Sequence, residues 1–487
     1  MNPTSVVLVR ANERYEGEHR TLETNIFGAF PPLGIAHIAA VVRDAGYPVR
    51  LVDGTVENAA PDELAQRIGT NFDGIAGFSS GTLNWRSTYR AIQSLRRIAP
   101  RAVVVVGGPQ MDVYPDEVLT FPEVDFGIVG EGEYAFTDLV RAIDRGEDPT
   151  SLPGLVFRRN GVVTKNPPAP PIKRLGDLPF AALDLLPVER YKALTIPSPF
   201  TTLVTSRGCP FKCNFCSQQY AGGKFRQRPV KHVADEIAWH LREFQTREIL
   251  FFDETFTIGP QRVIDLCEAI IDLGAPVGFN IRARADTITR PVARALRAAG
   301  CTGVNIGIEA GTDRILKKMN KSVTVTEMRR GIEICASEGL TTRGYFMLGY
   351  EGETVEEIEA TLQFACDLPL DFASFTITQL NPATTDYESA LFNGYTWDYW
   401  RDYTLMKDVP PVPPRPANAQ YSEEFLNGML RRAYRKFYSR PRLIAKHLAS
   451  SRMRRWVADT LVNQVSLTSA FAELMRPAYL STGYANG

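Results

Sequence analysis

The sequence predicts an α/β chain of two successive sheet domains followed by a helical region. Three observations carry this. Residues 5–146 alternate short Val- and Ile-rich runs with helical patterns, the mark of a parallel sheet with helices on both faces. The same rhythm resumes from 200 to about 382 with six βα units, two short of a closed eight-unit barrel. From 383 to 487 the chain turns aromatic, then proline-rich, then Arg-rich and helical. Two or three domains are expected of 487 residues.

In the first block, strands are predicted at 6–9, 49–53, 74–78, 103–106 and 126–129, and helices at 33–45, 61–68, 85–98 and 134–143. Residues 1–146 therefore read as a doubly wound, Rossmann-like domain. Such sheets bind ligands beyond the carboxyl ends of their strands. Those ends carry Ser79-Ser80, Gly107-Gly108-Pro109-Gln110 and Gly130-Glu131-Gly132-Glu133. Small residues there let a backbone approach a flat or phosphate-bearing ligand, although βα turns use glycine anyway.

Residues 147–199 are rich in proline, with a hairpin pattern at 155–157 and 162–164 around Asn160-Gly161. They read as an extended connection wrapping a surface. In the 200–382 block, strands are predicted at 202–205, 248–252, 278–282, 303–308, 343–347 and 374–378, and helices at 230–244, 260–273, 291–299, 325–338 and 355–366. Thr354 with Glu357 fits a capping box. In the 383–487 region, helices are predicted over 423–438 and from 441 to 448 and onward.

Hydrophobic residues make up 44% of the chain and charged residues 23%, an ordinary globular balance. Lys plus Arg and Asp plus Glu are 55 each, so nothing points to nucleic acid or an anionic membrane surface. The chain opens without a cationic, apolar leader and has no apolar run of about 18 residues. Seven cysteines, three of them in one loop, fit a reducing cytoplasm and a metal site rather than a disulfide framework.

Cys209, Cys213 and Cys216 stand at C-x3-C-x2-C in T-S-R-G-C-P-F-K-C-N-F-C, residues 205–216. Three such thiolates can each hold one iron of a 4Fe–4S cluster and leave the fourth iron open for a small chelating ligand. The α-amino and carboxylate groups of S-adenosylmethionine (SAM) suit such an iron. A structural zinc site needs a fourth ligand, and the nearest candidates, His232 and His240, lie on one helix face expected to be exposed. Inert packing is the other alternative. Cys267, Cys301, Cys335 and Cys366 read as core residues.

The loop resembles the cluster motif of the radical SAM superfamily, and the six βα units match its partial barrel. That resemblance places Phe215 beside the adenine. It assigns Asp253 and Glu254, ending the second strand, to the methionine amino group, Glu309 to the ribose hydroxyls, and Arg343 to the carboxylate. Ala310 replaces the usual hydroxyl residue after Glu309, and G-Y-E-G-E-T (349–354) reads as a structural turn.

P-P-L-G-I-A-H-I-A-A (31–40), D-A-G-Y-P-V-R-L-V-D (44–53), G-G-P-Q (107–110) and G-E-G-E (130–133) resemble the cobalamin-binding domain of one radical SAM class. The resemblance implies that Ser79, Ser80, Gly107, Gly108, Gln110, Glu131 and Gly132 line a cobalamin site. The D-x-H-x-x-G signature is absent, and Gln110 stands where the class often has His. A domain that keeps the fold without the ligand is the alternative. R-A-Y-R-K-F-Y-S-R-P-R (432–442) resembles the class's C-terminal stretch and is expected to cap the open barrel end; its basic face pairing with acidic helices elsewhere is the plainer reading.

Together these resemblances imply a cobalamin-dependent C-methyltransferase. A 5′-deoxyadenosyl radical removes hydrogen from an unactivated C–H of a lipid, tetrapyrrole or natural product, and methylcobalamin supplies the methyl group. An electron donor such as flavodoxin or ferredoxin is implied. A dehydratase, cyclase or rearrangement enzyme of the same architecture is the second reading, and a non-enzymatic iron–sulfur redox sensor the third. No Ser–His–Asp or paired acid–base signature is present, as cofactor chemistry would lead one to expect.

Overall fold

The computed structural model describes residues 3–12, 15–16, 19–20, 29–193, 196–217, 224–410, 413–414 and 421–449. In the first sheet, β1 (Val6–Arg10), β2 (Val49–Asp53), β3 (Ile75–Ser79), β4 (Val103–Gly107) and β5 (Phe126–Ile128) run in the order β2-β1-β3-β4-β5. All five are parallel. Alternate residues serve opposite faces, as strand geometry requires. Val6 and Leu8 pack with α1 (Leu33–Asp44) and α4 (Gly132–Asp144). Val7 and Val9 pack with α2 (Pro61–Ile68) and α3 (Trp85–Ile98). Burial on both faces is why the strands read as continuous apolar runs.

The predicted hairpin exists as β6 (Leu155–Arg159) and β7 (Val162–Lys165), but it extends this sheet antiparallel from β5. Leu155 and Phe157 are buried in the same core as Val6 and Leu8. The rest of the connecting segment is exposed over most of 160–174 but turns inward from 175 to 191. Ala181, Leu183, Leu186, Val188 and Tyr191 are buried with Leu33 and Ala36 of α1 and with Phe200. Ala182 N–H donates to Ala36 O at 3.0 Å. Tyr191 Oη donates to Asp53 Oδ2 at 2.6 Å.

The second sheet has six parallel strands in chain order: β8 (Phe200–Leu203), β11 (Glu248–Phe251), β12 (Gly278–Ala283), β13 (Cys301–Glu309), β14 (Thr342–Leu348) and β15 (Phe372–Ile377). Between β8 and β11 lie the short β9 (Ser206–Arg207) and β10 (Arg226–Gln227), paired antiparallel, and α5 (Val230–Phe244). Helices α6 (Pro260–Asp272), α7 (Arg290–Ala298), α8 (Asp313–Lys318), α9 (Val325–Ser337) and α10 (Val355–Asp367) complete the partial barrel. The predicted capping box is present at α10: Thr354 N–H donates to Glu357 Oε2 at 3.0 Å, and Glu357 N–H to Thr354 Oγ1 at 3.3 Å.

The C-terminal region divides between the two sheets. α11 (Thr385–Phe392) and α12 (Tyr399–Thr404) join the N-terminal core, where Tyr387, Tyr399, Trp400 and Tyr403 are buried beside Trp85. Most of the aromatic run is therefore packing; only Tyr395 (62%) and Trp397 (50%) are well exposed. α13 (Glu423–Tyr438) seals the free edge of β15. Tyr434 Oη donates to Phe375 O at 3.0 Å and accepts from Phe375 N–H at 3.2 Å. Tyr438 Oη does the same for Ala373, at 2.9 and 3.2 Å. Two phenols thus stand in for part of a seventh strand. α14 (Pro441–Ala449) follows. The basic stretch finds an acidic partner on the barrel, Arg432 with Glu359 at 2.7 Å, and Lys446 beyond it meets Asp371. The predicted helical continuation past 449 lies outside the described residues. Among the described residues no helix is long and apolar enough to cross a membrane.

Candidate active site

The cysteine loop leaves β8 and is closed at its base by the β9–β10 ladder, Ser206 opposite Gln227 and Arg207 opposite Arg226. Its entry is fixed by Asp253, a fully buried carboxylate just after β11. Oδ2 accepts from Thr205 N–H at 3.0 Å, and Oδ1 from Thr205 Oγ1 at 2.6 Å and from Ser206 Oγ. Three charge-assisted bonds to one segment hold the backbone where strand becomes loop. Asp253, which the resemblance gives to the SAM amino group, thus anchors the loop through Thr205 and Ser206.

The far side of the loop is tied to the segment after α8. Asn214 N–H donates to Met319 O at 2.9 Å and its Nδ2 to Lys318 O at 3.1 Å. Asn320 Nδ2 donates to Lys212 O at 2.7 Å.

All seven cysteines are thiols rather than half-cystines. Cys209, Cys213 and Cys216 are half-buried, whereas Cys267, Cys301 and Cys335 are buried in the barrel core. Burial pushes the Cys267 and Cys335 thiols up to about 12, which keeps them inert. In the loop, Cys209 Sγ lies 3.7 Å from Thr255 Oγ1 and Cys213 Sγ lies 3.9 Å from Arg284 Nη1. Burial raises the Cys213 thiol, while Lys321 and Arg284 pull it back down.

Arg284 and Lys321 join the site from outside the cysteine motif. Arg284 is locked in place. Nε and Nη2 donate to the carboxylate of Asp286 at 3.0 and 3.1 Å, Nη2 also to Lys321 O at 2.7 Å, and the guanidinium lies 3.7 Å over Phe211. Lys321 Nζ is 3.1 Å from Glu309 Oε1 and 5.7 Å from the Phe215 ring centre. The signal for Arg284 was available in N-I-R-A-R-A-D (280–286), where polar residues alternate along a strand with one inward face. Nothing in the sequence marked Lys321.

Phe215 is half-buried and packs against the barrel core. Glu309, ending β13, has φ +69° at a break in register with β14. That region is costly for a residue with a Cβ, and such residues concentrate at functional sites. Glu254 is half-buried; burial raises its carboxyl, while Arg282 and Arg207 act the other way. Arg343 sits lower in the barrel, in register with Asn305 rather than with Glu309. Its contact is the Phe372 ring at 5.2 Å, so the structure does not bring it to the cysteine loop. His240 is buried, contrary to expectation, with Nδ1 2.9 Å from Thr201 Oγ1.

Three half-buried thiols on a braced loop beside two fixed cations suit a 4Fe–4S cluster held at three corners. Among the described residues no three His, Cys, Asp or Glu side chains converge on one ion. Corner ligation does not need this, because each thiolate addresses a different iron.

The edge of the first sheet gives a mixed answer. Gly107 and Gly130 have no heavy atom within 4 Å of where a Cβ would stand. Gly108, at φ +85°, would place a Cβ 2.9 Å from Ser80 O. This edge is an open cradle of backbone flanked by Ser79, and it suits a large flat ligand such as cobalamin. Three residues assigned to cobalamin point elsewhere. Ser80 Oγ is turned to Thr88 Oγ1 at 3.1 Å and Asn84 Oδ1 at 3.2 Å. Gln110 is fully buried, with Nε2 donating to Thr404 Oγ1 at 3.0 Å. Glu131 accepts from Arg207 Nη1 at 2.9 Å, Arg226 Nη1 at 2.8 Å and Ile172 N–H at 2.6 Å. Gly132 opens α4 against Ile38. Glu133 is buried and also meets Arg207.

Two family models match the chain: the radical SAM superfamily over residues 203–365 and the B12 binding domain over residues 20–140. An uncharacterised methyltransferase of Pyrococcus horikoshii is 34% identical over 86% of this chain and 90% of its own. The anaerobic magnesium-protoporphyrin IX monomethyl ester cyclase of Rubrivivax gelatinosus is 30% identical over 72% of this chain and 65% of its own. Among solved structures, the radical SAM methyltransferase TsrM of Kitasatospora setae, with cobalamin and a [4Fe-4S] cluster bound, shares the fold. Its TM-score is 0.64 at 19% identity, covering 80% of this chain and 78% of that one. With both family models matched and a methyltransferase alike over nearly its whole length, the chain belongs to the cobalamin-dependent radical SAM methyltransferase family, whose cofactors are a 4Fe–4S cluster, SAM and cobalamin.

Proposed function

We propose that this enzyme methylates an unactivated carbon of a small molecule, of the lipid, tetrapyrrole or natural-product classes. The observation that carries the reading is that the two cofactor edges are keyed together. The arginines at both ends of the cysteine loop, Arg207 and Arg226, share Glu131 at the cradle edge of the first sheet. When bound, the cofactors supply hydrogen abstraction by an adenosyl radical and a transferable methyl group.

The residues bind and orient. Cys209, Cys213 and Cys216 hold the cluster, and Arg284 and Lys321 offset its negative charge. Phe215 offers a ring to the adenine, Glu309 accepts from the ribose hydroxyls, and Glu254 accepts from the methionine amino group. Ser79, Gly107 and Gly108 leave room for the corrin. Reducing equivalents come from flavodoxin or ferredoxin, and the enzyme works in the cytoplasm.

The test is anaerobic. The protein is purified from cells supplied with cobalamin, reconstituted with iron and sulfide, and counted for iron and cobalt. It is then reduced with methyl-deuterated SAM in the presence of small-molecule extracts. Near four irons and one cobalt per chain, with 5′-deoxyadenosine and a deuterated methyl product, are expected. The 30% likeness to a ring-forming cyclase favours a second reading: 5′-deoxyadenosine with no methyl incorporation would move the assignment there. No iron after reconstitution would overturn both.

A further inference from the structure

We propose that Glu131 is a positioning residue that couples occupancy of the cobalamin cradle to the order of the cysteine loop. This rests on the reading of the two cofactor sites above. Glu131 lies in the turn between β5 and α4, next to Gly130, which has φ +85° and open space on its cradle side. Its two oxygens face opposite ends of one loop. Oε1 meets Arg207, two residues before Cys209, and Oε2 meets Arg226, across the ladder at the loop's far end. Arg226 Nη1 also donates to Ile172 O at 2.7 Å, and Ile172 N–H returns to Glu131. Glu133 holds the second nitrogen of Arg207. Side-chain exposures within the cluster run from 5% to 20%.

Two carboxylates and two guanidiniums balance in charge, so a largely desolvated group is tolerated, and removing one member leaves another buried and uncompensated. The β5–α4 turn cannot shift without dragging the base of the cysteine loop. A ligand that orders the turn therefore orders the loop, and by linkage a filled loop favours the ligand.

The experiment is amide hydrogen exchange on full-length, cluster-reconstituted protein, with and without hydroxocobalamin, followed over peptides spanning 203–217 and 224–230. In the natural protein, hydroxocobalamin is expected to slow exchange there by about tenfold, within the usual range of coupled sites. E131Q is expected to bring the effect below about twofold while hydroxocobalamin absorbance and iron per chain are retained. R226K, which keeps the charge but shortens the reach of the nitrogen that meets both Glu131 and Ile172 O, is expected to fall between, and provides a second variant should E131Q fold poorly. A merely structural Glu131 would lower stability yet leave the hydroxocobalamin dependence intact, which would overturn the inference. Natural protein that binds iron and hydroxocobalamin but shows no change in loop exchange would overturn it too. Natural protein that binds neither would instead count against the cofactor sites themselves.

Discussion

Asp253→Asn isolates the anchoring of the cysteine loop. The carboxylate accepts three bonds from Thr205 and Ser206 while fully buried. An amide presents one oxygen and one NH2, so either Thr205 N–H or the two hydroxyls face a donor. Bonds to a charged group contribute about 1.5–3 kcal/mol and neutral ones about 1. Losing one of about 2 and weakening two by about 1 each gives about 4 kcal/mol. The amide avoids part of the cost of burying a charge, which lowers the expected loss to about 3 kcal/mol. For a domain of 150–250 residues this corresponds to about 6–12 °C in the barrel transition. Anaerobic scanning calorimetry of D253N, with iron per chain after reconstitution, reads both consequences. A shift under about 2 °C with full iron loading would refute the anchoring role.

Three further outcomes are expected. Arg284→Gln removes a fixed cation about 4 Å from a cluster thiolate. Spread over the cluster, an effect of about 2 kcal/mol lowers the midpoint potential by roughly 90 mV. R284K keeps most of the potential; electron paramagnetic resonance during redox titration reads this, and an unchanged value in R284Q would exclude the role. Tyr434→Phe with Tyr438→Phe deletes both bonded hydroxyls on the β15 edge. It is expected to cost about 3 kcal/mol and to speed amide exchange at Ala373 and Phe375; unaltered exchange would count against edge sealing.

The pH dependence concerns His37 and His240, both pushed down to about 4 by burial. They stay neutral in the fold while the unfolded chain takes up protons from about 6.5, so their contribution is full above that pH and lost toward 4. Glu353, pushed up to about 7 by burial, opposes them, since its contribution is present below 4.5 and lost as pH rises through 7. The balance of the three is one extra proton on the unfolded chain, or about 1.4 kcal/mol lost per pH unit between 6.5 and 4.5. H37Q/H240Q is expected to change that slope by about 2.7 kcal/mol per pH unit in denaturant titrations, and a slope left as it was would be inconsistent with two neutral, buried histidines.

The βα units and the cysteine loop were legible because each is written in a short stretch, in the alternation of buried strands or the spacing of three thiols. What was not legible shares a different cause. Asp253 sits where an acidic pair was expected, yet which of two adjacent carboxylates turns inward is set by Thr205 and Ser206, nearly fifty residues away. Gln110 occupies the position expected of a ligand but meets Thr404 across the chain. The prolines of 147–199 suggested a surface strap, while the apolar residues interspersed at 181–191 fill the seam between the sheets. In each case the partner is distant in sequence, and no local periodicity encodes it.

The return of α12 to the first sheet bears on how the chain is made. Trp85 Nε1 donates to Thr404 O across 319 residues, and Arg86 Nε to Tyr403 O across 317. The first domain emerges first during synthesis, yet one of its largest buried side chains lacks its acceptor until the barrel has been translated. Its core therefore closes late, by a contact of very high sequence separation, with a loop-closure cost that a folded barrel reduces by bringing the ends near. A nascent chain stopped before Tyr399 should expose the Trp85 face to chaperones and proteases, and release of the complete chain should bury it.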